Sequence, residues 1–147
     1  MNSTIDHVEL LVPDRDEAAA WYETVLGLTR VASTARWEAD PDGPLMISAD
    51  NGATKLALFR GDPRPELAPG GWQRVAFRVE AGEFVACLER ARRMELREHG
   101  KPLRLNDHTI AFSIYFSDPY GHLLEVTCYD HDVVRTALQG TRPGTDV

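Results

Sequence analysis

Glu125 stands in the middle of an apolar run, Leu123-Leu124-Glu125-Val126-Thr127-Cys128. A carboxylate among apolar strand residues is costly unless it is paired, metal-bound or at a water-filled site; otherwise its sheet face must be solvated. Alternation along a strand sends successive side chains to opposite faces. In HVELLV (7–12), Val8, Leu10 and Val12 share one face, and His7, Glu9 and Leu11 the other. In RVAFRV (74–79), Val75, Phe77 and Val79 separate from Arg74 and Ala76. Ser113, Tyr115 and Ser117 separate from Ile114 and Phe116 in the same way. The non-helix faces thus carry His7, Arg74, Ser113, Tyr115 and Glu125, and they would line a hollow if their strands curve around one.

The elements that must hold these residues are legible. Ile5 to Val12 reads as a strand that Pro13 stops. Asp14 three residues before Glu17 resembles a capping box, and Ala18, Trp21, Tyr22 and Val25 give the following helix an apolar face that Gly27 is placed to end. Strands are expected over Leu28–Ala35, Leu45–Ala49 and Thr54–Phe59, with turns at Asp40–Gly43 and Asp50–Gly52. GDPRPELAPGG (61–71) reads as a linker. A second series follows: a strand over Trp72–Val79, a helix over Glu83–His99 with Gly100 at its end, and strands near Leu103–Leu105, Ile110–Phe116 and His122–Cys128. The tail from Asp130 holds one short helix around Val133–Leu138 and a frayed end.

Two segments repeat. HVELLV at 7–12 lies over RVAFRV at 74–79 with a shift of 67, and ADNGATKLAL at 49–58 over SDPYGHLLEV at 117–126 with a shift of 68. Nearly equal shifts, in the same order around each helix, indicate two copies of one βαβββ module. The 147 residues suffice for one ordinary domain. No apolar stretch has membrane-spanning length, and MNSTIDHVELLV, with no basic region before an apolar one, gives no expectation of export. Cys87 and Cys128 suit reduced, buried thiols. Sixteen basic against 23 acidic residues, a net charge of −7, disfavour nucleic acid as a partner. The expectation is a soluble, cytoplasmic protein that binds neither nucleic acid nor membrane.

IDHVELLVPDRDEAAAWYETVLGL and SIYFSDPYGHLLEV together resemble the vicinal oxygen chelate superfamily, which includes glyoxalase I, extradiol dioxygenases, fosfomycin-resistance enzymes and bleomycin-resistance proteins. The resemblance covers about Ile5 to Tyr129. It implies an α+β fold, with two βαβββ modules forming a curved mixed sheet around a central pocket. The modules would lie at about 5–60 and 72–129, joined by the 61–71 linker and followed by the 130–147 tail, as one domain. It further implies a homodimer, a small-molecule ligand, and a divalent metal (iron, manganese, zinc or nickel) where the site is active, otherwise none. His7 and Glu125 match metal-ligand positions. Arg74 stands where many members have a second histidine, and Ala57 stands at the position a four-ligand glyoxalase site would use. NDHTIAFSIYFSDPYGHLLEV is most similar to the extradiol dioxygenase branch, where residues matching His108 and Tyr115 bind or protonate the oxygenated substrate.

A guanidinium keeps its proton and cannot ligate a metal. Arg74 can replace the cation by pairing with Glu125, leaving a metal-free binding pocket. Alternatively it holds a substrate carboxylate while His7, Glu125 and a third group such as His108 or water keep a metal. Trp72 opens the strand of Arg74 and can reach an aromatic ligand. Three readings therefore stand: a metal-independent small-molecule binder, with Arg74, Trp72 and Ser113 at the ligand; a metal-dependent dioxygenase, lyase or isomerase, with Tyr115 and His108 catalytic; and a domain retained for assembly. His122 is expected as an exposed turn residue and His99 near a helix C-terminus, while nothing marks out His131.

Overall fold

The structure is a computed structural model and describes residues 5–63 and 74–140. Two compact units divide the chain, Met1–Glu66 and Leu67–Val147. Residues 64–71 of the linker, Trp72 and the closing residues 141–147 lie outside the described residues.

In the first unit β1 (His7–Val12) leads into α1 (Arg15–Leu26), followed by β2 (Thr29–Arg30), α2 (Ala35–Glu38), β3 (Leu45–Ser48) and β4 (Lys55–Arg60). The Asp14 carboxylate accepts from the backbone N–H groups of Asp16 and Glu17 at 2.9 and 3.0 Å, satisfying two donors at the helix start. Gly27 ends the helix in the left-handed conformation, φ 69°. Ala18, Ala19, Tyr22 and Val25 are buried on the inner helix face, and Leu10, Val12, Leu45, Ile47 and Leu58 are buried on the sheet. The sheet order is β1-β4-β3-β2, with β1 and β4 parallel and the other pairs antiparallel.

The second unit repeats this plan. Its strands are β5 (Arg74–Arg78), β8 (Arg104–Asp107), β9 (Phe112–Ser117) and β10 (Leu123–Cys128), in the order β5-β10-β9-β8, with β5 and β10 parallel. Helix α3 (Ala81–Arg93) buries Phe84, Cys87, Leu88 and Ala91. The buried sheet residues Phe112, Ile114, Phe116, Leu124, Val126 and Cys128 form the apolar set expected from alternation. Both cysteines are free and buried, and burial pushes both thiols up from their ordinary pKa. Helix α4 (His131–Gly140) buries Val134. The α+β class and the paired βαβββ modules are as the sequence implied, built as two four-stranded sheets.

Two elements differ from expectation. Of Leu28–Ala35 only Thr29–Arg30 is a strand; Ala32–Thr34 form a 3-10 turn and Ala35 begins α2. Small residues in Ala-Ser-Thr-Ala place no apolar side chain that a strand could bury. The second helix stops at Arg93 rather than His99. Glu95 takes the left-handed conformation (φ 53°), the Leu96 N–H donates to the Ala91 carbonyl at 3.0 Å, and the Glu95 N–H donates to the Arg92 carbonyl at 3.0 Å. This is a Schellman closure on a residue other than glycine. The chain then forms a small hairpin, β6 (Arg97–Glu98) with β7 (Lys101–Pro102), and Gly100 (φ 79°) turns it instead of ending a helix.

The Glu95 closure gives a stability prediction. Because glycine enters the left-handed region without a Cβ penalty, Glu95→Gly should raise unfolding stability by about 1 kcal/mol. A shift of the urea midpoint at constant slope would report it.

Candidate functional site

The strand register of the second unit arranges its polar sheet face in rows. Ala76, Glu125, Tyr115 and Arg104 occupy one row across β5, β10, β9 and β8. Arg74, Leu123 and Ser117 form the next row, and Arg78, Thr127, Ser113 and Asn106 the row on the other side. Directly paired residues share a face, so the register brings together Arg74, Ser113, Tyr115 and Glu125 within this unit, as the alternation predicted.

Arg74 donates through Nη2 to Oε1 of Glu98, and Nη2 of Arg104 lies 3.3 Å from the second oxygen, Oε2. One carboxylate therefore bridges two guanidinium groups. Both cations lie over the Tyr115 ring, Arg74 at 4.7 Å and Arg104 at 4.3 Å from its centroid. These are cation–π distances. Tyr115 is 6% exposed, and its hydroxyl lies 2.8 Å from His108 Nε2. Which of the two donates depends on the imidazole tautomer. The Ser113 hydroxyl donates to Thr127 Oγ1 at 3.0 Å, linking two strands across a directly opposed pair.

The expected partner of Arg74 was Glu125, and the structure gives it Glu98 instead. Arg74 stands opposite Leu123, whereas Glu125 stands opposite Ala76. Their offset of one row leaves the guanidinium to the carboxylate arriving from β6. Glu125 is half-buried, and it has no ion pair among the described residues.

Glu98 and Arg104 were not among the candidates. Glu98 falls where a continuous helix was expected, and Arg104 joins the Tyr115 row only through the β8–β9 register. The sequence signal available for Arg104 was its alternation with Leu105 and Asn106.

In the first unit His7 opens β1, with Nδ1 2.8 Å from Asp6 Oδ2 and Nε2 3.7 Å from Glu9 Oε1. Hydrogen bonds from Lys55, and then from His7, hold the Asp6 carboxyl below the usual carboxylate range. Glu9 pairs with Ala57 on β4, which places the ligand-less Ala57 where the repeat put it.

The remaining histidines depart from expectation. His122 is buried, not exposed: its Nδ1 lies 2.6 Å from Asp118 Oδ2, and its backbone N–H donates to Asp118 Oδ1 at 2.8 Å. A carboxylate four residues earlier draws the ring inward. His99 sits in the β6–β7 turn (φ 46°), with Nε2 2.8 Å from the Gly121 carbonyl oxygen. His131 opens α4, stacks on Phe112 at 4.7 Å and lies 2.6 Å from Asp107 Oδ1. The Thr109 N–H and then His131 hold the Asp107 carboxyl low. A shallow groove of about 290 Å³ between the end of α3 and the following hairpin is lined by Arg92, Glu95, Leu96 and Leu103. It contains none of the expected residues.

Within the second unit the donor set does not fit a three-ligand metal. Arg74, which the resemblance sets at a second-histidine position, carries a guanidinium that offers no lone pair. Among the described residues no three His, Cys, Asp or Glu side chains come together in a group that could hold a metal ion.

The paired modules lead to a family. The chain belongs to the Glyoxalase/Bleomycin resistance protein/Dioxygenase superfamily, which it matches over residues 4–126. Among solved structures it is similar to the oxidase ChaP-H2, at 25% identity and a TM-score of 0.64, over 87% of this chain and 94% of that one. The oxidase ChaP-H1 is similar at 27% identity and a TM-score of 0.64, over 86% and 96%. A mutant of the fosfomycin resistance protein FosX from Listeria monocytogenes, complexed with Mn(II) and 1S,2S-dihydroxypropylphosphonic acid, shares the fold at 20% identity and a TM-score of 0.66, over 90% and 97%. No curated protein matches. Among the described residues no helix is long and apolar enough to cross a membrane.

Asp118 is a buried acceptor for His122 and for the backbone N–H of Tyr120, at 3.0 Å. Asp118→Ala leaves those donors unpaired and should cost about 3 kcal/mol. Urea denaturation checks it, and a change below about 1 kcal/mol would show that water replaces the carboxylate.

Proposed function

We propose that the chain binds a small organic molecule on the polar sheet face of its second module, without a metal at the Arg74 position. The observation that carries this reading is the side chain of Arg74. It stands at a ligand-histidine position, pairs with Glu98 and covers the Tyr115 ring. A residue so engaged supplies a fixed positive charge where relatives would bind a cation. Arg74, Ser113 and Trp72 are assigned to ligand binding in this reading. The protein acts as one domain with modules at about 5–60 and 72–129, in the cytoplasm, as a homodimer.

A second reading rests on a different observation, the 2.8 Å contact between His108 and Tyr115. An imidazole and a phenol so placed can hand a proton to an oxygen of a bound substrate. The similarity to oxidases at 25 and 27% identity supports an enzyme of the dioxygenase kind. His7 and Glu125 remain its candidate metal ligands.

Metal analysis of protein purified without chelators separates the two. The binding reading expects no stoichiometric iron, manganese, zinc or nickel, and expects Arg74→His to create metal binding. Stoichiometric metal that disappears in Glu125→Ala or His7→Ala would overturn it in favour of the enzyme.

A further inference from the structure

We infer that the ligand is a small organic carboxylate, held by Arg74 and Arg104 together, and that Glu98 is its internal stand-in. This rests on the binding reading above and names the chemistry of its ligand. Three features of the second unit support it.

The first is the sharing of one carboxylate. Glu98 offers a single oxygen to each guanidinium, so neither pair is the two-pronged contact that arginine and carboxylate form at full strength. Each guanidinium has five N–H donors, and among the described residues neither has a hydrogen-bond acceptor other than Glu98. Arg74 Nε is buried without a hydrogen-bond partner. Two arginines therefore have more donor capacity than their one acid uses.

The second is charge. Arg74, Arg78 and Arg104 stand on this face with Glu98 and Glu125, three fixed cations against two carboxylates. The surplus is positive in a chain whose net charge is −7. An acidic protein that gathers arginine locally makes a site selective for anions.

The third is preorganisation. The Tyr115 ring lies under both guanidinium groups and is itself held by His108. The cations are thus positioned before a ligand arrives, which limits the ordering cost of binding. Glu98 comes from the β6–β7 hairpin, whose backbone is tied down: the Ser117 hydroxyl donates to the Arg97 carbonyl at 3.0 Å, and His99 contacts Gly121. Displacing Glu98 needs only a turn of its side chain. An incoming carboxylate takes its place between the same two cations.

Calorimetric titration with benzoate, and with benzamide as its neutral isostere, tests the inference on the full chain at low ionic strength. Benzoate should bind at least about tenfold more tightly than benzamide. Arg104→Ala should weaken benzoate about tenfold and benzamide by a much smaller factor, while Glu98→Gln should strengthen benzoate several-fold. If Arg104→Ala does not fold, as judged by circular dichroism, Arg104→Lys and Arg104→Gln replace it, with the lysine variant the tighter of the two. Equal binding of the two probes, or benzoate affinity indifferent to Arg104 or reduced by Glu98→Gln, overturns the carboxylate inference and leaves the small-molecule reading standing. Binding of neither probe, with stoichiometric metal in the protein, overturns both.

Discussion

The parallel pairing of the first and last strands in each module is the constraint on which the rest depends. It joins β1 to β4 and β5 to β10 across intervening chain, and it decides which side chains become neighbours. One face of each sheet is packed, so a slip of one residue would bury Glu125 or Arg74 and expose Val126 or Val75. The burial of Leu10, Val12, Leu124 and Val126 makes such a slip prohibitive. The polar rows thus follow from the packing of the opposite, apolar face.

Within that shared frame the two modules distribute their charges differently. In the first, the parallel pair opposes Glu9 to Ala57; in the second, it opposes Ala76 to Glu125. One carboxylate per pair is retained, but it changes strands. The position preceding it differs as well: His7 faces Lys55, while Arg74 faces Leu123. The His7 imidazole lies between two acids of its own segment, and the Arg74 guanidinium reaches an acid on another element. Duplication kept the backbone and freed each face to carry its own chemistry.

Alternation and turn chemistry in the sequence were enough for the modules, the Asp14 cap, the Gly27 stop and the apolar sets of β1, β5, β9 and β10. They also placed Arg74, Ser113, Tyr115 and Glu125 on one kind of face, and the register then put them in adjacent rows. What could not be read depended on contacts between distant segments. Glu95 adopts a conformation that propensity assigns to glycine, so the end of α3 carried no local mark. With the helix overrun, Glu98 was misplaced, and the partner of Arg74 was lost with it. His122 failed for a simpler reason. A histidine after a DPYG turn reads as solvent-exposed until the four-residue spacing to Asp118 is given weight. The register of β8, which carries Arg104, is set by pairing rather than by its own four residues.

Two buried or half-buried arginines of this chain differ in what they are committed to. Arg15 is buried, and its Nη1 donates to the carbonyls of Asp40, at 3.1 Å, and Gly43, while Nη2 donates to that of Glu38 at 3.1 Å. Those carbonyls belong to the end of α2 and the loop after it, and the loop is fitted closely: a Cβ on Gly43 would collide with the Trp37 carbonyl oxygen. Arg15 is committed to backbone and holds a turn in place. Arg74 has the same guanidinium but different surroundings: one oxygen of a shared carboxylate, an aromatic face, and no acceptor for its buried Nε. Its acid arrives on the hairpin inserted between α3 and β8, whereas the first module passes from α1 directly into β2. An insertion that carries the counter-charge for Arg74 ties the two features together, since removing the hairpin acid would leave the half-buried guanidinium uncompensated. The hairpin and Arg74 form one unit, an ion pair whose guanidinium has donor capacity left over.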